Sequence, residues 1–541
     1  MAADMMSFYP GNQPGGTPGY IPLPYYWWEA GALMGTLIDY WYYTGDTSWN
    51  EDTTAGLLFQ VGDEADYMPR NQTHTEGNDD QGFWGLAVMS ATEYNFPNPP
   101  ADKPQWLALA QAVFNTQAAR WNMEYCNGGL RWQIFTWNNG YDYKNTISQA
   151  CFFALGARLA LYTGNDTYAQ WAEKTWDWTR GVGYIDDQWN VYDGAHIHDN
   201  CSELTPYQWT YNIGGFVLGA AAMYNYTEKQ VWKDRVDGLL NGSAIFFKGD
   251  NNDIMTEVAC EPVDRCNIDQ QSFKAYLSRW LANVVKWYPE SAGRIMPWLR
   301  ASSIAAAKQC TGGDNGRMCG LKWNNNGTWD GSTGLGQQMA ALEVTLANLI
   351  DQSRRPVTAD SGGTSVGNPD AGTNDIGRET SVTFRPITTG DRAGAGILTA
   401  LVLMGLVGGM VWVLSEDNEG KSKALGQLPG QFSSALASLG IGGAVAGRHL
   451  MGGLGKGKEK ESIDSMEKVG GVAEHTSEAS IQQGEVLSPV QMPPPAATAP
   501  TPVSVSVSAM TGGSGSSAEG SDAWVPAERG SQRSSRRNLD V

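Results

Sequence analysis

Two adjacent carboxylates sit in the segment Glu76-Gly77-Asn78-Asp79-Asp80-Gln81-Gly82-Phe83-Trp84-Gly85, where a Gly-containing loop gives way to an apolar helical pattern. Cleavage of a glycosidic bond needs two carboxyl groups, one ionised and one protonated, and retaining enzymes hold them about 5 Å apart. Adjacent residues inside a helix point about 100° apart, but at a loop-to-helix junction both can face one cavity. Mutual repulsion there raises one apparent pKa, the helix N-terminus keeps the other group ionised, and the pair titrates as a unit. The simpler reading is a helix cap. One cap needs one carboxylate, so the redundancy makes Asp79 and Asp80 the candidate catalytic pair.

A second acidic pair, in Ile185-Asp186-Asp187-Gln188-Trp189, precedes Val191-Tyr192-Asp193-Gly194-Ala195-His196-Ile197-His198-Asp199. His196 and His198 with Asp193 suggest a metal, but His-x-His on a strand faces one side for steric reasons alone. No third ligand with zinc-like spacing follows, so no metal and no cofactor is expected. The stretch reads instead as a carbohydrate contact or a structural loop.

Trp27, Trp28, Trp84, Trp132, Trp137, Trp189 and Trp209 lie beside polar residues at helix starts or in loops. Flat apolar faces flanked by hydrogen-bonding groups suit pyranose rings, although for any one of them a place in the core is the commoner use. Expected substrate contacts are Trp28, Trp132, Gln133, Asp187, Tyr211 and Asn212.

These residues must be positioned by helices. Apolar residues recur at three- and four-residue spacing, which predicts helices near 27–43, 51–67, 80–94, 104–121, 145–162, 168–181, 207–223, 228–242, 269–286, 291–308 and 334–352. Tyr43-Thr44-Gly45-Asp46-Thr47 is repeated as Tyr162-Thr163-Gly164-Asn165-Asp166, with a looser copy at Tyr226-Thr227-Glu228. Gly can end one helix and Asp or Thr just beyond it can cap the next, so each copy is a tight turn between paired helices. Repeated hairpins with aromatic inner faces suggest a solenoid or a closed ring of helix pairs, and about eleven helices in some 330 residues fit a ring of six: an all-α (α/α)6 toroid over residues 25–352, after an extended segment at 1–24.

Of the 22 Trp, 20 precede residue 353, as do all seven Cys and six N-x-S/T sequons at Asn71, Asn165, Asn200, Asn225, Asn241 and Asn326. Sequons confined to the Cys-containing part point to an oxidising, secretory compartment. Cys260/Cys266 and Cys310/Cys319 are spaced for local bridges, and the pairing of the other three is open. The start, MAADMMSFYPGNQ, has no apolar stretch of a signal peptide, and a truncated N-terminus is expected. A net charge of −20 excludes nucleic acid as a partner.

Residues 353–392, rich in Ser, Gly, Thr, Pro and Asp, read as a flexible linker, and Ala393–Leu414 as one transmembrane helix. Residues 415–541 read as a disordered tail; its Gly452-x4-Gly457-Lys458 mimics a phosphate loop but continues with Glu459. The sequons and Cys place the helical part outside the membrane, at the plasma membrane or cell surface.

Several blocks in order resemble a known family: Tyr25-Tyr26-Trp27-Trp28-Glu29-Ala30-Gly31-Ala32, Gly77-Asn78-Asp79-Asp80-Gln81, Gly129-Leu130-Arg131-Trp132-Gln133, Tyr192-Asp193-Gly194-Ala195-His196, Trp209-Thr210-Tyr211-Asn212 and Ser272-Phe273-Lys274-Ala275-Tyr276-Leu277-Ser278-Arg279-Trp280. They are similar to the fungal branch of glycoside hydrolase family 76, the mannan endo-1,6-α-mannosidase-like proteins of cell-wall biogenesis, over about residues 20–350. The resemblance implies an (α/α)6 fold and a retaining mechanism with Asp79 as nucleophile and Asp80 as general acid/base. It also implies α-1,6-mannan or a GPI-anchor glycan as donor, and β-1,6-glucan or water as acceptor. Members often carry a signal peptide and end on a GPI-addition tail, whereas here 127 residues follow Leu414, which fits a transmembrane anchor better. Rival readings are a wall carbohydrate-binding or scaffolding protein on the same fold, and a surface sensor signalling through the tail.

Overall fold

A computed structural model describes residues 1–373 and 388–415, with side chains to Trp412. In chain order the helices are α1 (Ala2–Met6), α2 (Trp27–Thr44), α3 (Asn50–Phe59), α4 (Asn78–Glu93), α5 (Trp106–Ala119), α6 (Thr146–Thr163), α7 (Asp166–Gly181), α8 (Thr210–Thr227), α9 (Gln230–Ser243), α10 (Phe273–Trp287), α11 (Ala292–Lys308), α12 (Leu335–Leu346) and α13 (Thr389–Ser415).

The even-numbered helices from α2 to α12 form the inner ring. Each packs on the next, α2 on α4 and so on to α12, which packs back on α2 and closes the circle. The odd-numbered helices α3 to α11 pair with them on the outside, and α1 packs on α12. This is the (α/α)6 toroid. Composition explains the layers: an inner helix such as α6 is buried on nearly every side and is correspondingly apolar all round, whereas α7 and α9 carry one apolar and one charged face.

The repeated punctuation works as its residues dictate. Gly45 and Gly164 end α2 and α6 in the left-handed conformation, with φ of 71° and 68°. The Asn165 side chain then accepts from the Thr167 N–H to start α7. The third copy makes the same turn with Glu228 at φ 54°. The expected 51–67 helix stops at Phe59, because Gly62 takes φ 75° and Ala65 and Tyr67 follow with φ of 53° and 57°. The last expected helix loosens into 3-10 form over Ala347–Gln352.

Buried ion pairs stitch the ring. Arg158 on α6 meets Glu93 on α4, and Arg279 on α10 meets Asp39 on α2 and Glu343 on α12. Disulfides join Cys126 to Cys201, Cys260 to Cys266 and Cys310 to Cys319, and Cys151 is a buried free thiol. All six sequon asparagines are exposed.

Residues 353–373 depart from the flexible linker expected there. The Val357 N–H donates to the Glu93 carbonyl, Ser365 Oγ accepts from the Leu107 N–H, and Asn115 Nδ2 donates to the carbonyls of Pro369 and Ala371. Ser, Gly and Asn supply short polar groups that satisfy the exposed ends of α4 and α5, so the strand of chain lies along them instead of swinging free. Helix α13 is long and apolar enough to cross a membrane, and its side chains to Trp412 are exposed. The expected tail lies outside the described residues from 416 onward, as does 374–387 of the expected linker.

Candidate active site

The N-terminal ends of five inner helices, α2, α4, α6, α8 and α10, converge on a cleft of about 760 Å³. The helix dipoles give that end of the ring a positive partial charge, which suits a wall of carboxylates. Glu76, Asp79, Asp80, Asp193 and Asp269 line the cleft, and among the described residues no Lys or Arg does.

Local pairing brings the pieces together. The Asn78 N–H donates to the Trp132 carbonyl at 2.7 Å and the Ile134 N–H to the Glu76 carbonyl at 3.2 Å. The segment before α4 is thereby zipped to the loop bearing Trp132 and Gln133. On the other side a small antiparallel sheet forms from β1 (Tyr143–Asn145), β2 (Gly194–His196) and β3 (Leu204–Thr205), with Tyr143 opposite His196 and Asn145 opposite Gly194. Buried Lys144, between two cleft residues, donates to the carbonyls of Asn122, Tyr125 and Gly128, fixing the approach to Trp132. Desolvation lowers its ammonium to about 7.

Asp79 is buried and Asp80 half-buried at the start of α4. Asp80 Oδ2 accepts from the Gly77 N–H at 2.6 Å, so it closes the helix end. Capping therefore accounts for Asp80 and not for Asp79. Asp79 Oδ2 instead accepts from Asn145 Nδ2 at 2.7 Å, and its Oδ1 from the Asp80 N–H at 3.1 Å. A Cβ placed on Gly77 would lie 2.2 Å from Asp79 Oδ1 and 3.2 Å from Asp80 Oδ2. A side chain there would displace Asp79 Oδ1 and press on the Trp132 carbonyl at 2.9 Å, so glycine leaves room for both carboxylates side by side.

Burial pushes the Asp79 carboxyl up to about 7, against the pull of the Asn145 amide and the backbone N–H groups. Asp80 is pushed well above the usual carboxylate range, by burial first and then by the charge of Asp79. Both feel Asp269, itself raised by burial and held by the Trp28 indole N–H at 3.0 Å. Burial and mutual repulsion disfavour ionising both carboxyls together, which leaves a proton beside a carboxylate for acid–base and nucleophilic chemistry on one sugar.

The sequence is similar to known proteins over the same region. A family model described as glycosyl hydrolase family 76 matches residues 1–360. The chain belongs to glycosyl hydrolase family 76. Relatives include mannan endo-1,6-alpha-mannosidase DCW1 of Saccharomyces cerevisiae, 49% identical over 416 residues, covering 76% of this chain and 91% of that one. Among solved structures, Dfg5 from Chaetomium thermophilum in complex with glucosamine is 51% identical, with a TM-score of 0.67, covering 69% of this chain and 94% of that one. An inactive variant of the alpha-1,6-mannanase GH76A of Salegentibacter sp. HEL1_6, in complex with alpha-1,6-mannotriose, shares the fold at 16% identity and a TM-score of 0.52, covering 64% and 97%.

In this family 76 chain, Trp28, Trp132, Gln133 and Tyr211 line the cleft beside Asp79 and Asp80. Two expected contacts need correction. Asp187 lies outside the cleft, its side chain 89% exposed and paired with Arg180 at 2.8 Å. The acidic pair there is a turn, in which Asp186 accepts from the N–H groups of Gln188 and Asn190. Asn212 is fully buried in α8 and does not reach the cleft. Of the tryptophans, Trp84 is core, stacked between Trp27 and Tyr67, while Trp27 and Trp209 join the lining. Asp193 accepts from the Tyr143 hydroxyl at 2.7 Å instead of pairing with the histidines. Missed as site residues were Asn145 and Asp269. Both stand at predicted helix starts, and in a ring whose inner N-termini converge that is the signal that could have found them.

Proposed function

We propose that the chain is a retaining α-mannosidase acting on α-1,6-mannan or a GPI-core glycan, and that it transfers the mannosyl-bearing part of a GPI-anchored mannoprotein to cell-wall β-1,6-glucan. The observation that carries the reading is the shared approach of Asp79 and Asp80 to Gly77 at the floor of an aromatic cleft. Curated relatives bear the name mannan endo-1,6-alpha-mannosidase, and the Dfg5 relative was crystallised with glucosamine, the sugar that follows mannose in a GPI core.

Asp79 attacks the anomeric carbon as the bond to the leaving oxygen breaks, and Asp80 delivers its proton to that oxygen. Asp80, now charged, takes a proton from water or a glucan hydroxyl, which attacks the mannosyl ester and releases Asp79. Trp28, Trp132 and Tyr211 hold pyranose faces. Helix α13 supplies a membrane anchor at the cell surface, with the exposed sequon asparagines on the outer side.

The deciding experiment gives the detergent-solubilised full chain a GPI-core glycan, with and without β-1,6-glucan oligosaccharides, and analyses products. Transfer predicts a new glycan conjugate in place of free reducing mannoside. Azide added to Asp79→Ala should give the β-mannosyl azide, and azide added to Asp80→Ala the α-anomer. Binding without turnover in the native chain would instead favour a carbohydrate-binding scaffold.

A further inference from the structure

Outside the cleft, an acidic side chain and two histidines 54 or more residues further along the chain come together. Asp142, immediately before β1, lies beside His196 at the end of β2 and His198 just beyond it. One ligand atom from each lies within 4.8 Å of the other two. His196 Nδ1 is 3.1 Å and His198 Nδ1 3.8 Å from Asp142 Oδ2. The third ligand that the spacing after His198 lacks is supplied from 54 residues upstream of His196 by strand pairing.

We propose that Asp142, His196 and His198 form a site for a divalent transition metal of the zinc class at the rim of the cleft. Metal–ligand bonds of about 2.0–2.2 Å place tetrahedral ligand atoms about 3.4 Å apart. The two contacts to Asp142, at 3.1 and 3.8 Å, bracket that value, and side-chain rotation would bring the imidazole nitrogens, within 4.8 Å of each other, to it as well. Two imidazoles and one carboxylate, with remaining positions for water, form a ligand set that zinc, nickel and copper prefer to magnesium or calcium. All three side chains are about half exposed, so an ion can enter from solvent and keep its waters.

Two further features favour a ligand site over a chance meeting. The backbone beneath is fixed: the Ile197 N–H donates to the Asp142 carbonyl at 2.8 Å, the Cys201 N–H to the His196 carbonyl at 3.2 Å, and Cys201 is bridged to Cys126. The outer nitrogen of His198, Nε2, lies 3.7 Å from Asp199 Oδ2. A carboxylate behind the far nitrogen is the usual outer partner of a metal-bound imidazole. The His196 and His198 rings already stack, with centroids 5.0 Å apart. The His196 ring also packs on Tyr143, a cleft residue, at 4.9 Å, so a bound ion would brace the wall that carries Asn145.

The test titrates ZnCl2 into chelator-dialysed full chain in detergent by calorimetry, with the bound metal counted by mass spectrometry. One saturating zinc per chain is expected. Asp199→Ala should weaken it by the ~10- to 100-fold typical of an outer partner, and His198→Ala and Asp142→Ala by more. Unchanged melting temperature and mannoside hydrolysis in metal-free buffer would show that the variants fold. No saturable zinc binding, or equal affinity in the native chain, His198→Ala and Asp142→Ala, would overturn the proposal; the second result would place the ion elsewhere on the chain.

Discussion

Asn145 Nδ2 donates to Asp79 Oδ2 at 2.7 Å across 66 residues of sequence, from the last position of β1 to the first turn of α4. The amide opposes the burial that holds Asp79 near 7. A hydrogen bond to the charged form favours that form, so Asn145 keeps the proposed nucleophile ionised at lower pH.

Asn145→Ala therefore should move the acid limb of the kcat/KM profile to higher pH. A hydrogen bond to a charged group is worth about 1.5–3 kcal/mol, so a loss of roughly 10- to 100-fold near pH 6 is expected on α-1,6-mannotetraose. Activity at alkaline pH should recover part of it. An acid limb left in place would remove Asn145 from this role.

Asp80 carries the complementary prediction, in stability. Its folded carboxyl is held well above 3.8 by burial and by Asp79, so between those values the folded state binds more protons than the unfolded one. Stability is then fully present below 3.8 and falls as pH rises toward the folded pKa. Asp80→Asn keeps an acceptor for the Gly77 N–H and removes the charge. It should raise Tm at pH 7, show no such gain at pH 3.5, and abolish turnover. A gain in Tm that is the same at both pH values would mean that the buried charge is not its source.

The helices were legible because their apolar stretches run long enough, one-faced in the outer layer and apolar all round in the inner one, and the repeated Tyr-Thr-Gly punctuation marked where they turn. Asp79 and Asp80 were legible because two carboxylates exceed what one cap uses. Asn145 and Asp269 were not, since their approach to the pair is set by ring closure and sheet register, which no local pattern encodes. Asp187 misled for the opposite reason. Its local pattern imitates Asp79-Asp80, but Arg180, one helix end away, draws it to the surface. Asn212 misled because a polar residue in the first turn of an inner helix can face the ring wall as readily as the cleft.

That contrast can be measured. Trp132 lines the cleft with 37% of its surface exposed, and Trp132→Ala should raise KM for mannotetraose about 10-fold, the scale of one aromatic contact. Asp187→Ala removes only a surface pair of the kind that contributes little, and both kcat and KM should stay at native values. A rise in KM from Asp187→Ala would return that residue to the substrate path.

Ring closure itself rests on Arg279. Its Nε lies 2.7 Å from Asp39 Oδ2 and its Nη2 2.5 Å from Glu343 Oε1, joining α10 to both α2 and α12. Nη2 also donates to Thr36 Oγ1 at 2.7 Å. Burial, then the charge of Glu343, pushes Asp39 upward while the guanidinium opposes them. Arg279→Ala leaves two carboxylates facing each other in the core without a cation, a change that costs about 3–5 kcal/mol. The loss should be largest at pH 7 and smaller at pH 5, where a proton can take the place of the arginine. Melting temperatures at the two pH values read it directly, and kcat at a temperature where the variant remains folded should match the native chain, because Arg279 lies outside the cleft lining. Equal losses at both pH values would show that the side chain matters for its packing and not for its charge.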